Sequence, residues 1–264
     1  MYRIDNRGNK KSDNIRNEVI NKYGVCNGVI PDIEELSWDS SHFGFEVGKC
    51  EVCTQIESLS ALTDKASVSG YKLLYIFSSC EQFCLREYGL KAYQRIVYSR
   101  SLIRDYCKKL VVEYAKVKSL KGGEIDCQLL DLSKASGEYS RFRLDPSFPS
   151  YCFSELYDKW LERSVSTDMA TDVLVCYDEN DIPVGLLTYK IDGTDSQIGL
   201  LAVEKHNRGK GMATLLNNVY ECSLPVNVRN LHVVTQGENR PARSFYERMG
   251  YKITETNYIY HLWI

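Results

Sequence analysis

The chain has 264 residues, 44% of them hydrophobic and 26% charged, which is enough apolar mass for a packed core. A net charge of −2 gives none of the basic excess typical of nucleic-acid binding. No apolar run approaches the roughly 18 residues of a bilayer span, and the polar stretch from Met1 to Tyr23 lacks a signal-peptide core, so the sequence predicts a cytoplasmic protein without nucleic-acid or membrane partners.

Residues 1–30 predict a polar arm with at most one short helix. A first module is expected over 31–121 and a second over 122–264, joined at Ser119-Leu120-Lys121-Gly122-Gly123, where paired glycines interrupt helix and strand alike. Phe45 to Cys53 alternates like a strand, which sends Cys50 and Cys53 to opposite faces. Cys80 and Cys84 fit one helix face, which core packing explains as well as a metal does. The ten cysteines therefore read as reduced small hydrophobes, with no metal site. Leu73 to Phe77 predicts a strand, followed by a helix into Gly89 and a strand around Ile96 to Tyr98.

The second module reads clearly. Strands are predicted at Asp172–Tyr177, Pro183–Ile191 and Gln197–Val203, separated by turns at 178–181 and 193–195. A helix from about Gly211 to Cys222 carries Leu215, Leu216 and Val219 at helical spacing. A strand at Leu231–Thr235, a helix at Pro241–Met249 stopped by Gly250, and an extended stretch from Tyr251 to Trp263 complete it. The order strand, helix, glycine, strand occurs in both modules. Registering Gly89 on Gly250 places Leu85 where Tyr246 stands, and the first module has no glycine-rich loop. This suggests two related modules, the second alone keeping catalytic equipment.

Between strand and helix lies Arg208-Gly209-Lys210-Gly211-Met212-Ala213. Glycines at such a turn let backbone N–H groups converge on an anion, and the helix N-terminus adds a favourable dipole. The spacing of a P-loop is absent, and Thr214 occupies the third glycine position of a dinucleotide fingerprint. The loop resembles the Arg/Gln-x-x-Gly-x-Gly/Ala element of the GNAT superfamily of N-acetyltransferases. Asn239-x-x-Ala242-x-x-x-Tyr246-x-x-x-Gly250-Tyr251 resembles that superfamily's next element, in the right order. Together they cover about Asp172 to Ile264.

The resemblance implies an α/β (α+β) GNAT fold, a mixed, mostly antiparallel sheet flanked by helices, with an incomplete GNAT-like N-terminal half. It implies acetyl-CoA as cosubstrate and a primary amine as acceptor. It assigns Leu201, Ala202 and Val203 to the cofactor through backbone groups freed by a strand bulge, with Arg208, Gly209, Lys210, Gly211, Met212, Ala213 and Asn239 as further cofactor contacts. Tyr246 becomes the acid that protonates the departing thiolate, a workable assignment because a phenol near pKa 10 faces a thiol near 8.5. His232, Glu204 or a water chain are open candidates for the base, with His232 more naturally a structural side chain.

Leu36-Ser37-Trp38-Asp39-Ser40 with Phe43-Gly44, Ser140-Arg141-Phe142-Arg143 with Phe153 and Trp160-Leu161, Ile198 to Leu201, and Tyr258 to Trp263 are similar, in patches, to the dTDP-fucosamine acetyltransferases. That similarity implies a nucleotide-linked amino sugar as the acceptor; by analogy with related enzymes, a homodimer is possible. If their segment is extended, Arg141 and Arg143 share one side and suit a diphosphate. The two prolines of Asp145 to Ser150 suggest a loop able to close over a site.

Overall fold

The computed structural model describes residues 30–52, 56, 59–103 and 116–264. The predicted N-terminal arm, Ile30 apart, lies outside the described residues, as do Cys26, Cys53 and Cys107. In chain order the elements begin with β1 (Glu34–Glu35), α1 (Ser37–Phe43), β2 (Val47–Val52), α2 (Leu59–Val68), β3 (Leu73–Ser78), α3 (Phe83–Glu87) and β4 (Ala92–Ser101). They continue with β5 (Val117–Ser119), α4 (Cys127–Ser136), α5 (Arg141–Leu144), α6 (Ser150–Ser166), β6 (Asp172–Tyr177), β7 (Pro183–Asp192) and β8 (Asp195–Val203). The last are α7 (Met212–Ser223), β9 (Asn230–Gln236), α8 (Arg240–Arg248) and β10 (Lys252–Trp263).

The described residues form two compact units, one within 30–93 and 257–264 and one within 94–256. The division differs from a boundary at 121/122. The Gly122-Gly123 pair makes a turn inside the second unit, where Gly122 N donates to Val165 O (3.0 Å) and Gly123 N to Leu120 O (2.8 Å). The Lys121 ammonium donates to the carbonyls of Ser164 and Ala170 at 2.8 and 2.7 Å, and this clamps the turn to the end of α6.

In the first unit the strand order is β1-β2-β3-β10, with β2 and β3 parallel and the outer pairings antiparallel. β3 is buried along nearly all its length, as a parallel-paired strand covered on both faces must be. Cys50 packs in this core, and burial pushes its thiol up to about 12, so it behaves as a small apolar side chain.

The second unit carries the order β10-β4-β9-β8-β7-β6-β5. β8 and β9 are parallel, while β4–β9, β7–β8, β6–β7 and β5–β6 are antiparallel. β6 shows why the sheet is covered on both faces. Val173 and Val175 pack with Leu129, Leu132, Leu161 and Val165 of α4 and α6, whereas Leu174 and Cys176 pack with Leu215, Leu216 and Val219 of α7. α6 presents Phe153, Tyr157, Leu161 and Val165 at intervals of four, the buried stripe of an amphipathic helix.

The repeat register has a structural counterpart in helix termination. Gly89 and Gly250 both adopt φ +83, the left-handed conformation that favours glycine after a helix. Leu90 N donates to Leu85 O at 3.0 Å, and Tyr251 N donates to Tyr246 O at 3.0 Å. Leu85 and Tyr246 thus occupy the same place in two identically closed helix ends.

Candidate active site

β8 carries one residue more than its partner. Leu187 pairs with Leu201 and Tyr189 with Ile198, so Gly199 and Leu200 together face Thr188. Leu200 N donates to Thr188 Oγ1 at 2.9 Å, a side chain replacing the carbonyl that the bulge has displaced. The extra residue changes which face the side chains meet. Ile198 packs on the α7 side, whereas Leu200, two positions on, packs with Phe153, Leu156 and Tyr157 of α6.

Pairing of β8 with β9 runs only from Asp195↔Asn230 to Ile198↔Val233. Beyond it the amides of Leu200 and Glu204 point to β7, bonding Thr188 Oγ1 and Val184 O. Strand alternation therefore turns the amides of Leu201 and Val203 toward the opposite, unpaired edge. A cleft of about 400 Å³ opens there.

The loop after β8 forms the next wall. Glu204 caps a short turn by accepting from His206 N (2.8 Å) and Asn207 Nδ2 (3.0 Å). Gly209 and Gly211 adopt φ +76 and +86, and a Cβ built on either meets no atom within 4 Å. Backbone shape, not crowding, is what calls for glycine at both positions. The first backbone bond of α7 joins Leu215 N to Gly211 O at 2.9 Å. The amides of Met212, Ala213 and Thr214 precede it and have no acceptor within the helix, an arrangement whose chemistry suits a phosphate-like anion.

α8 supplies the far wall. Asn239 caps it, its Oδ1 accepting from Ala242 N at 3.2 Å. Tyr246 is 4% exposed and lies against the rings of Tyr98, Phe245 and Tyr251, with centroids 6.0, 5.3 and 5.7 Å away. Burial raises its pKa well above the ordinary phenol range, so the hydroxyl keeps its proton at neutral pH.

Of the predicted site residues, Leu201, Ala202, Val203, Arg208, Gly209, Gly211, Met212, Ala213, Asn239 and Tyr246 line this one cleft. Lys210 does not; its ammonium donates to Asn207 Oδ1 at 3.3 Å. Arg141 and Arg143 do not line it either. The extended reading of their segment is corrected. They lie on the one-turn helix α5, where positions two apart point to nearly opposite sides. Arg141 sits over the Phe142 ring at 4.2 Å and Arg143 over the Phe153 ring at 5.2 Å. The following segment is held in place, with Asp145 and Phe148 buried and the Asp145 carboxylate accepting from Ser147 N at 2.9 Å.

Neither named base candidate is among the cleft-lining residues. His232 bonds Ser99 Oγ through Nδ1 and Asp195 Oδ1 through Nε2, both at 2.8 Å, so both ring nitrogens are occupied. The Glu204 carboxyl lies below its usual range chiefly because His206 N donates to it, which suits a cap better than a base. Sequence reasoning missed Glu138 and Tyr139, in the turn between α4 and α5, and Phe245 and Arg248 on α8. The last two were legible: Pro241, Ala242, Phe245 and Arg248 follow helical spacing along one stripe.

Among the described residues no group of three or more His, Cys, Asp or Glu side chains forms a metal site, and no helix is long and apolar enough to cross a membrane.

Comparison with known proteins bears on the same region. Residues 147–261, less than half the chain, match the family described as Acetyltransferase (GNAT) domain. The spore coat polysaccharide biosynthesis protein SpsD of Bacillus subtilis is 26% identical over 136 residues, 51% of this chain and 46% of that protein. The match thus spans under half the length of this curated relative. A conserved protein of unknown function from Staphylococcus epidermidis superposes with a TM-score of 0.57 at 15% identity, covering 91% of this chain and 95% of that one. A GCN5-related N-acetyltransferase from Kribbella flavida gives a TM-score of 0.49 at 11% identity, covering 95% and 93% of the two chains. The mixed sheet flanked by helices is the GNAT fold, and residues 147–261 carry the match to the acetyltransferase domain of that name.

Proposed function

We propose that this protein transfers the acetyl group of acetyl-CoA to a primary amine, and that the amine belongs to a dTDP-linked amino-dideoxy sugar. One observation supports the transferase reading: a single cleft joins unpaired strand amides, the free first-turn amides of α7 and a buried phenol that keeps its proton. The amides at the start of α7 take the diphosphate of the cofactor. The open edge between β8 and β9 takes its pantetheine arm, with the Asn239 NH2 as a further donor. The amides of Leu201 and Val203 donate to the thioester oxygen as negative charge builds there, where one such donor is worth about 3–4 kcal/mol. The amine nitrogen bonds to the acetyl carbon, the carbon–sulfur bond breaks, and Tyr246 gives its proton to the departing sulfur. The proton lost by the amine passes to water.

The sugar acceptor rests on two supports. One is the patchwise similarity to dTDP-fucosamine acetyltransferases, and the other is a relative named for polysaccharide biosynthesis. The aromatic face of α6, with Arg143 over its Phe153 ring, is the acceptor side in this reading; Arg141, turned the other way on α5, no longer pairs with Arg143 there.

The test is thiol release from acetyl-CoA in the presence of a panel: a dTDP-linked 4-amino-4,6-dideoxyhexose, free amino sugars, polyamines and peptide amines. The nucleotide sugar should be the preferred acceptor. Tyr246→Phe should lower kcat by about 10²-fold or more, with acetyl-CoA affinity changed less than about threefold. Equal turnover of all amines would remove the sugar assignment. Acetyl-CoA binding without transfer to any amine would make the protein an acyl-CoA-binding module.

A further inference from the structure

Two cationic side chains, Arg208 and Arg248, stand among the residues lining the cleft, and they are not equivalent. Arg208 belongs to the glycine loop and would ordinarily be assigned to the cofactor's diphosphate. Its guanidinium is already engaged. Nε donates to Val203 O at 3.1 Å, and a terminal nitrogen lies 3.6 Å from Glu138 Oε2, from the turn after α4. Among the described residues Glu138 is the one carboxylate lining the cleft, and it faces the loop whose amides would bind the diphosphate. Arg208 thereby bridges two walls, with a carboxylate partner in place before any ligand arrives.

Arg248 differs on each point. It ends the stripe of α8 that runs from Pro241 and Ala242 through Phe245, so it faces the same cleft from the opposite wall. It is exposed where Tyr246 is buried, which sets it toward solvent relative to the reacting end. It has no acidic partner among the described residues. Its planar fork of donors suits a phosphate, and its place in the last turn of α8 matches the sign of the helix dipole.

Coenzyme A carries two phosphate centres, the diphosphate and the 3′-phosphate of its adenosine. The N-terminus of α7 answers the first through backbone amides. We propose that Arg248 is the residue that reads the second, so that it makes the protein specific for 3′-phosphorylated coenzyme A, while Arg208 acts as a positioning residue. The proposal rests on the acetyl-CoA reading above and adds a residue and a discrimination to it.

Calorimetric titration of wild type, Arg248→Met and Arg208→Met with acetyl-CoA and acetyl-dephospho-CoA tests it. Methionine keeps the aliphatic bulk and removes only the charged fork. Wild type should prefer acetyl-CoA by about tenfold, the yield of one exposed charge-assisted contact. Arg248→Met should bring the ratio near one by weakening acetyl-CoA alone. Arg208→Met should weaken both compounds alike and keep the preference. A preference retained in Arg248→Met, a preference lost in Arg208→Met, or equal binding of both compounds by wild type overturns the assignment. Binding of neither compound by folded wild type removes the acetyl-CoA reading itself, and this inference with it.

Discussion

In the proposed reading Asn239 divides its carboxamide between two tasks. The oxygen caps α8 by accepting from Ala242 N, and in that reading the NH2 donates to the cofactor. The two tasks separate by substitution. Asn239→Ala should cost about 1 kcal/mol of stability through the lost cap and should also weaken acetyl-CoA binding. Asn239→Asp keeps the capping oxygen, and a carboxylate suits a helix N-terminus. It should therefore retain the urea midpoint and still bind acetyl-CoA more weakly. If Asp restores binding as well as stability, the NH2 has no part in the cleft. Tyr246 shows a comparable economy: the rings that bury it also hold its proton in place, since burial opposes the phenolate.

The bulge in β8 is the element that turns a sheet into a site. One extra residue opposite Thr188 moves Leu200 to the α6 face, and the strand separates from β9 just where Leu201 and Val203 turn their amides outward. Thr188 is the hinge pin, buried to 1% exposure and bonded to Leu200 N. Thr188→Val keeps the side-chain shape and removes the acceptor. An unpaired buried amide should cost about 1–3 kcal/mol, read as a lowered urea midpoint, and kcat should fall as the bulge relaxes. An unchanged midpoint and kcat would mean that the backbone holds the bulge without this bond. α7 contributes in another way: its first-turn amides reach the cleft because Gly209 and Gly211 take conformations a side chain would strain.

Each unit builds its core around tyrosines, and this gives the molecule a predictable response to alkali. Burial raises the pKa of Tyr220, Tyr246 and Tyr251 in the second unit, and it pushes Tyr260 in the first up to about 12. A folded-state pKa above the unfolded value means that the native state holds its proton longer. The stability tied to these groups is complete below the unfolded tyrosine value of about 10 and is lost as pH rises through the folded values. Cys50, raised from 9.0 to about 12, starts the decline somewhat earlier. The denaturant midpoint should therefore be level from neutrality to about pH 8.5 and fall steeply above about pH 10. Tyr246→Phe should make that fall shallower. A midpoint independent of pH up to about 11 would contradict the burial of these phenols.

The amino-acid sequence by itself determined the elements from Asp172 onward, because each announces itself locally: short apolar runs bounded by turns in β6 and β7, helical spacing in α7, and Gly250 after α8. It also marked Gly209 and Gly211 as a glycine-dependent turn, and both take the left-handed conformation that favours glycine. It was less complete before Asp172. No helix was expected over Ser150–Ser166, although Phe153, Tyr157, Leu161 and Val165 recur every four positions, and reading Arg141 to Arg143 as extended put two arginines on one side that the turn of α5 separates. Only the tertiary structure decided which residues meet. Glu138 reaches Arg208 across seventy positions, and Tyr98 packs on Tyr246 from a distant strand. The parting of β8 from β9 depends on the register of three strands at once. Such contacts follow from packing and pairing between segments far apart in sequence, and no local pattern encodes them.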